Sequence, residues 1–187
     1  MLLLILVTTQ LSYVVLSDAG FQMHRTAIWA TEAVVFLAIA VLSLAALANS
    51  GRLASAWAAM AVSAVLNVVQ VGMGLAMFAP LKDAGPAMAP AYLATVAGAF
   101  FLYFAGKLLF GFAAIVVGAY LVRSTGLAKV TGALAILGGL AAMAANLGGI
   151  IAGMAMVYPA GATGTVATLL LAAALAMNLR TALAPDQ

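Results

Sequence analysis

The strongest constraint on this chain is where its charges are missing. No Asp, Glu, Lys or Arg lies between Glu32 and Arg52, between Arg52 and Lys82, or between Lys129 and Arg180. About 20 apolar residues wound as an α-helix, rising about 1.5 Å each, match the roughly 30 Å hydrocarbon core of a bilayer. In hydrocarbon every backbone N–H and C=O must be satisfied internally, and a helix does this within one segment. With 67% hydrophobic and 6% charged residues, the chain cannot clothe a water-soluble domain, which carries about 25% charged residues. The expectation is an all-α, polytopic transmembrane helix bundle, built as a single domain over residues 1–187.

Polar punctuation divides the chain into about six spans. The first helix is expected over about 2–17, followed by a turn around Asp18 to Arg25; the second runs over about 27–48 and stops at Asn49-Ser50-Gly51-Arg52. The third covers about 53–79 and ends at Pro80, where the Pro/Gly-rich segment from Pro80 to Pro90 forms a loop. The fourth lies within about 91–122, too long for one straight span and too short for two, so a tilt or a break near Gly98 or Gly106 is expected. The fifth covers about 129–157, Pro159-Ala160-Gly161 turns the chain, and the sixth covers about 162–179. The N-terminus has no Lys or Arg ahead of its apolar stretch and no small-x-small site directly after it, so it reads as a retained helix rather than a signal peptide. Six spans put both termini on one side, together with Arg52, Arg123, Lys129 and Arg180, against Arg25 and Lys82 on the other. The positive-inside rule then makes both termini cytoplasmic. Tyr13, Trp29 and Tyr158 fall near outer ends, and Trp57 and Tyr120 near inner ends, as aromatic belts require.

Several chemistries are excluded. The chain has no cysteine, so disulfides, thiolate catalysis and Cys-ligated metals are absent. Its one histidine, His24, rules out multi-His metal sites and bis-His haem within one chain. No metal and no cofactor is expected. A net charge of +3 reflects topology rather than a nucleic-acid partner, which needs a basic patch or stripe.

Ionisable groups inside spans are costly, and each is a functional candidate by default. Two occur, Glu32 and Lys107. Counting helical rise from Arg52 and Arg123 puts them roughly 30 Å and 24 Å from the inner face. Asn67, Gln70 and Asn146 fall at roughly 22, 27 and 25 Å. Five polar side chains on four helices thus converge in the outer part of the bilayer as a candidate ligand site. Asn67, Gln70 and Gly74 share one helical face, and Asn146, Gly149 and Gly153 repeat that spacing, Gly149 and Gly153 as a GxxxG that permits close helix approach. Plainer readings stand beside these. Glu32 can pair at the interface with Arg25 or His24. Lys107 can snorkel outward along its four-carbon stem. The amides can be interhelical glue worth around 1 kcal/mol or less each, and Gln10, Asn178 and the threonines of the sixth helix read as packing.

Residues 61–80 and 140–159 align without gaps. Asn67 meets Asn146, Gly74 meets Gly153, Ala76-Met77 meets Ala155-Met156, and Pro80 meets Pro159. In the preceding helices Glu32 falls opposite Lys107. A shorter echo links Leu16-Ser-Asp-Ala-Gly20 with Leu81-Lys-Asp-Ala-Gly85. Ala, Gly and Met are abundant enough for chance matches, but the shared Asn and Pro favour a helical hairpin repeated in parallel.

The stretch Gly118-Ala-Tyr-Leu-Val-Arg-Ser-Thr-Gly126, with Leu127 and Thr131-Gly-Ala-Leu134, resembles an inner loop and following helix of uncharacterised bacterial multi-pass inner-membrane protein families. It departs from their pattern at Ala128-Lys129, where a Leu-Pro pair is usual. The resemblance spans about thirty residues (118–147) and implies a bacterial inner membrane, without implying an activity.

Three classes of function follow. The polar cluster, the repeat and the small-residue interfaces favour a small transporter or channel, working as a homo-oligomer because six short helices are few for a lone transporter. Ala/Gly-rich helices without a distinctive motif also suit a non-catalytic subunit or scaffold of a larger membrane complex. An intramembrane enzyme acting on a lipid or quinone is least favoured: there is no carboxylate pair within the spans, no HExxH and no Ser/His/Asp arrangement.

Overall fold

The computed structural model describes residues 1–18, 24–49 and 51–183. Among them there is no strand, and six α-helices follow one another: α1 (Leu2–Asp18), α2 (His24–Leu47), α3 (Ala54–Asp83), α4 (Ala89–Leu121), α5 (Gly126–Ala152) and α6 (Val157–Leu183). Short 3-10 turns lead into α3 and α4 and join α5 to α6. Four stretches are long and apolar enough to cross a membrane: Arg25–Leu47, Gly51–Asp83, Pro86–Leu121 and Gly126–Asn178, the last holding the 3-10 turn at Gly153–Met156 within its 53 residues. The apolar part of α1, Leu2–Leu16, is shorter. The chain is a membrane protein with a helical-bundle fold.

Contacts along the seams show each helix antiparallel to the next. Tyr13 stacks on Trp29, and Trp29 meets Phe78 edge-on. Phe78 meets Tyr92, Gly111 lies against Gly139 and Gly118 against Gly132, and Asn146 donates to the Ala160 carbonyl. The pairs α1–α2, α2–α3, α3–α4, α4–α6 and α6–α1 pack together. Five helices therefore close a ring, and α5 buttresses it from outside against α4 and α6.

Without a solvophobic drive between helices in lipid, close van der Waals packing must hold the bundle, and small residues permit it. The α4–α5 seam is the clearest case. A Cβ added to Gly139 would lie 2.5 Å from the Gly111 carbonyl oxygen, and one on Gly118 would lie 2.6 Å from that of Gly132. The two backbones touch there because neither carries a side chain. Gly74 admits the Trp29 ring and Gly149 the Phe104 ring in the same way.

Several boundaries differ from expectation. α3 does not stop at Pro80 but carries it in its last turn and ends at Asp83. The lost N–H breaks only one bond there, and Ala84 N–H still caps onto the Pro80 carbonyl at 3.1 Å. α4 is one unbroken helix of 33 residues, about 50 Å long, with no break at Gly98 or Gly106. Gly106 is instead the socket for the Asn67 side chain. The reversal expected at Pro159-Ala160-Gly161 falls earlier, at Gly153–Met156. Pro159 sits in the first turn of α6, where its missing N–H has no intrahelical partner to lose. Gly153 is thus not a packing glycine. Its φ of 64° and ψ of −138° fall outside the regions L side chains favour, and an added Cβ would meet nothing within 4 Å. The proposed repeat breaks here: Asn67 and Asn146 are alike, but Gly74 is helical and Gly153 turns the chain. The turn expected between Asp18 and Arg25 lies largely outside the described residues, as do the His24 and Arg180 side chains.

Candidate functional site

Inside the ring, Glu32 and Lys107 come from different walls. Glu32 projects from α2 with 7% of its surface exposed, and Lys107 from α4 with none. They interact electrostatically but make no ion pair within 4.0 Å. Neutral groups of α1 stand beside both. Thr9 Oγ1 lies 3.0 Å from Glu32 Oε1, and Lys107 Nζ donates to Gln10 Oε1 at 2.7 Å. Thr165 Oγ1, on α6, donates to the same Gln10 oxygen at 2.9 Å. One amide oxygen therefore gathers α1, α4 and α6. The Lys107 ammonium also lies 5.6 Å from the centre of the Tyr103 ring, within cation–π range.

The Lys107 stem needs room in a crowded bundle, and Gly164 supplies it. A Cβ on Gly164 would approach Lys107 Cδ to 2.9 Å and Cγ to 3.1 Å. Lys107 accordingly does not snorkel to an interface; its ammonium is hydrogen-bonded within the bundle. Nor does Glu32 rely on Arg25, whose guanidinium rests over the Tyr13 and Trp29 rings at 5.8 and 5.6 Å.

The site is layered along the bundle axis. On one side lies the aromatic run Tyr13, Trp29, Phe78 and Tyr92, which crosses from α1 to α4. Trp29 packs between α1 and α3 there. On the other side Leu6, Phe36, Phe110 and Leu171 are buried at 0–1% exposure and belong to one packed core. Beyond them an apolar groove of about 680 Å³ opens among Leu3, Ile39, Ser43, Trp57, Met60 and Leu175.

The other three expected site residues are not in this cluster. Asn67 is buried in the α3–α4 seam and donates to the Ser63 carbonyl at 2.8 Å, while Ser63 donates across the seam to the Gly106 carbonyl at 2.7 Å. Asn146 is buried in the α5–α6 seam and donates to the Ala142 and Ala160 carbonyls at 2.8 and 3.2 Å; its Oδ1 has no partner. Gln70 is half-buried and makes no side-chain hydrogen bond among the described residues. Sequence reasoning missed Thr9, Gln10, Tyr103, Gly164 and Thr165. The available signal was an amide at the middle of the short first helix, and a Gly-Thr pair in the sixth. No group of three or more His, Cys, Asp or Glu able to hold a metal occurs among the described residues.

Chemically, the arrangement offers a carboxylate and an ammonium in one desolvated layer, each hydrogen-bonded to a neutral hydroxyl or amide group of α1. No family model, curated protein or solved structure matches the chain, so this geometry and the chain's own chemistry are what a functional reading rests on.

Proposed function

We propose that this chain is a small six-span membrane transporter whose ligand site is the layer formed by Glu32, Gln10, Lys107 and Thr165. The observation that carries the reading is the pair of buried opposite charges on separate walls, each hydrogen-bonded to a neutral group and the two not in direct ion-pair contact. A structural ion pair is brought together, because leaving either charge uncompensated in the interior is strongly unfavourable. Charges kept apart across a ring suit a site that a polar or charged ligand completes. The aromatic run and the Leu6–Phe36–Phe110–Leu171 layer support the reading as closures on either side. In this proposal Asn67 and Asn146 hold helix seams, both termini face the cytoplasm of a bacterial inner membrane by the Lys/Arg bias of the loops, and the working unit is a homo-oligomer.

The test is a stability screen of protein purified in native-like lipid against small zwitterionic, cationic and anionic solutes, followed by uptake into proteoliposomes. The expected outcome is a solute that stabilises the native protein and is taken up, with both effects lost in Glu32→Gln and in Lys107→Met. A stoichiometric partner protein with no solute response overturns the proposal in favour of a subunit of a larger complex.

A further inference from the structure

One hydrogen near Glu32 has two places to go. Thr9 Oγ1 lies 2.9 Å from the Leu6 carbonyl oxygen and 3.0 Å from Glu32 Oε1. A hydroxyl donates one hydrogen and accepts through its lone pairs, so it cannot donate to both at once. When Glu32 is ionised, Thr9 donates to the carboxylate. When Glu32 carries a proton on Oε1, that O–H donates to Thr9 Oγ1, and the Thr9 hydrogen turns to the Leu6 carbonyl. Both states are satisfied with the heavy atoms where they stand.

We propose that Glu32 is a reversible proton-binding site with Thr9 as its hydrogen-bond switch; the further role of that proton as the coupling ion rests on the transport reading, while the proton site itself does not. Protonation forms one O–H bond, takes its proton from water and involves no oxidation. Access is provided on the carboxyl group itself, because among the described residues Oε2 makes no hydrogen bond, and the side chain keeps some exposed surface. Lys107, with no exposed surface, has no such access.

The groups facing Glu32 are few. From α4 come Lys107 and Tyr103, the two side chains whose charge or ring shares its layer. From α1 come Thr9 and, one turn on, Tyr13. α3 carries no charge between Arg52 and Lys82, and α6 supplies the neutral Thr165. On α2 itself Arg25 is engaged with aromatic rings. Among the described side chains, Lys107 is therefore the cation within reach that senses the change. Neutralising Glu32 removes the nearby negative charge and leaves the ammonium with the Tyr103 ring and the Gln10 oxygen, which also holds Thr165 on α6. A proton arriving at α2 is thus transmitted to the junction of α1, α4 and α6.

Glu32 is the chain's sole glutamate, so carbon-13 glutamate labelling reports on it directly. The experiment is solid-state NMR of the labelled native protein in lipid across the pH range in which it stays folded, with Glu32→Gln to identify the signal. The expected result is a reversible pH-dependent shift of the side-chain carboxyl resonance. In Thr9→Val the two end states should differ from those of the native protein, and Thr9→Ser should restore them. A resonance that does not move with pH overturns the proton site, and one that moves identically in Thr9→Val overturns the switch. Proton uptake by proteoliposomes separates the layers of argument: titration without uptake keeps the site and removes the coupling role.

Discussion

Lys107 and Gln10 provide a sharp test of how the buried charges are held. If the lysine is anchored by the amide oxygen at 2.7 Å, a double-mutant cycle between Gln10→Leu and Lys107→Met must show coupling. A hydrogen bond to a charged group contributes about 1.5–3 kcal/mol. Interhelical bonds in membranes fall toward the low end of such ranges, because the unfolded state also finds partners. Gln10→Leu alone also frees Thr165, adding about 0.6 kcal/mol, so its expected cost is about 2–3 kcal/mol. In the Lys107→Met background the same change should cost only the Thr165 share, leaving a coupling of about 1.5 kcal/mol or more. The corresponding Glu32–Lys107 cycle has a ceiling: two unit charges at 4 Å and an effective dielectric of 20 interact by about 4 kcal/mol. These groups make no pair within 4.0 Å, so their coupling falls below that value. The assay is denaturing-detergent unfolding in mixed micelles followed by the fluorescence of Trp29 and Trp57. A Gln10–Lys107 coupling within about 0.5 kcal/mol of zero, the usual limit of additivity, refutes the anchoring.

Gly139→Ala should destabilise the bundle by about 1–3 kcal/mol as an overpacking change, since its Cβ would sit 2.5 Å from the Gly111 carbonyl oxygen; an unchanged unfolding midpoint contradicts the α4–α5 contact. Gly153→Ala should cost about 1–3 kcal/mol through backbone strain alone, while Gly72→Ala, in open helical space, should be neutral or stabilise by up to about 1 kcal/mol. Equal effects at these two positions would contradict the turn at Gly153. Because the chain has no cysteine, single Ser124→Cys and Ala84→Cys variants should react with impermeant thiol reagents from opposite faces of the membrane, Ser124→Cys from the cytoplasmic one. Labelling from the same face refutes the proposed orientation.

Charge-free runs made the helical class and the positions of the helices legible, because membrane insertion writes length and hydropathy directly into sequence. The ends were less legible. Pro80 and Pro159 both read as stops, yet one sits in a last helical turn and the other in a first, where the missing donor matters little. The polar cluster was half legible. Depth along each helix placed Glu32 and Lys107 in one layer, but depth does not say which face points inward or which helices are neighbours. Asn67, at nearly the same depth, turns into the α3–α4 seam. Gln10 was read as packing because nothing in the sequence tells that α1 fits between α2 and α6. Helical periodicity within one segment carries no record of the ring that closes around it.

The position of α1 has a consequence for how the protein is made. Its Thr9 and Gln10 are synthesised before either buried charge, so Glu32 and then Lys107 emerge after the groups they hydrogen-bond. An unpartnered charge at a helix centre costs about 2.5–3.5 kcal/mol on insertion scales, and the hydrogen bonds from α1 offset part of that cost. Thr165 is synthesised last and bonds the same oxygen as Lys107, so the Gln10 amide joins the first, fourth and sixth helices of the chain.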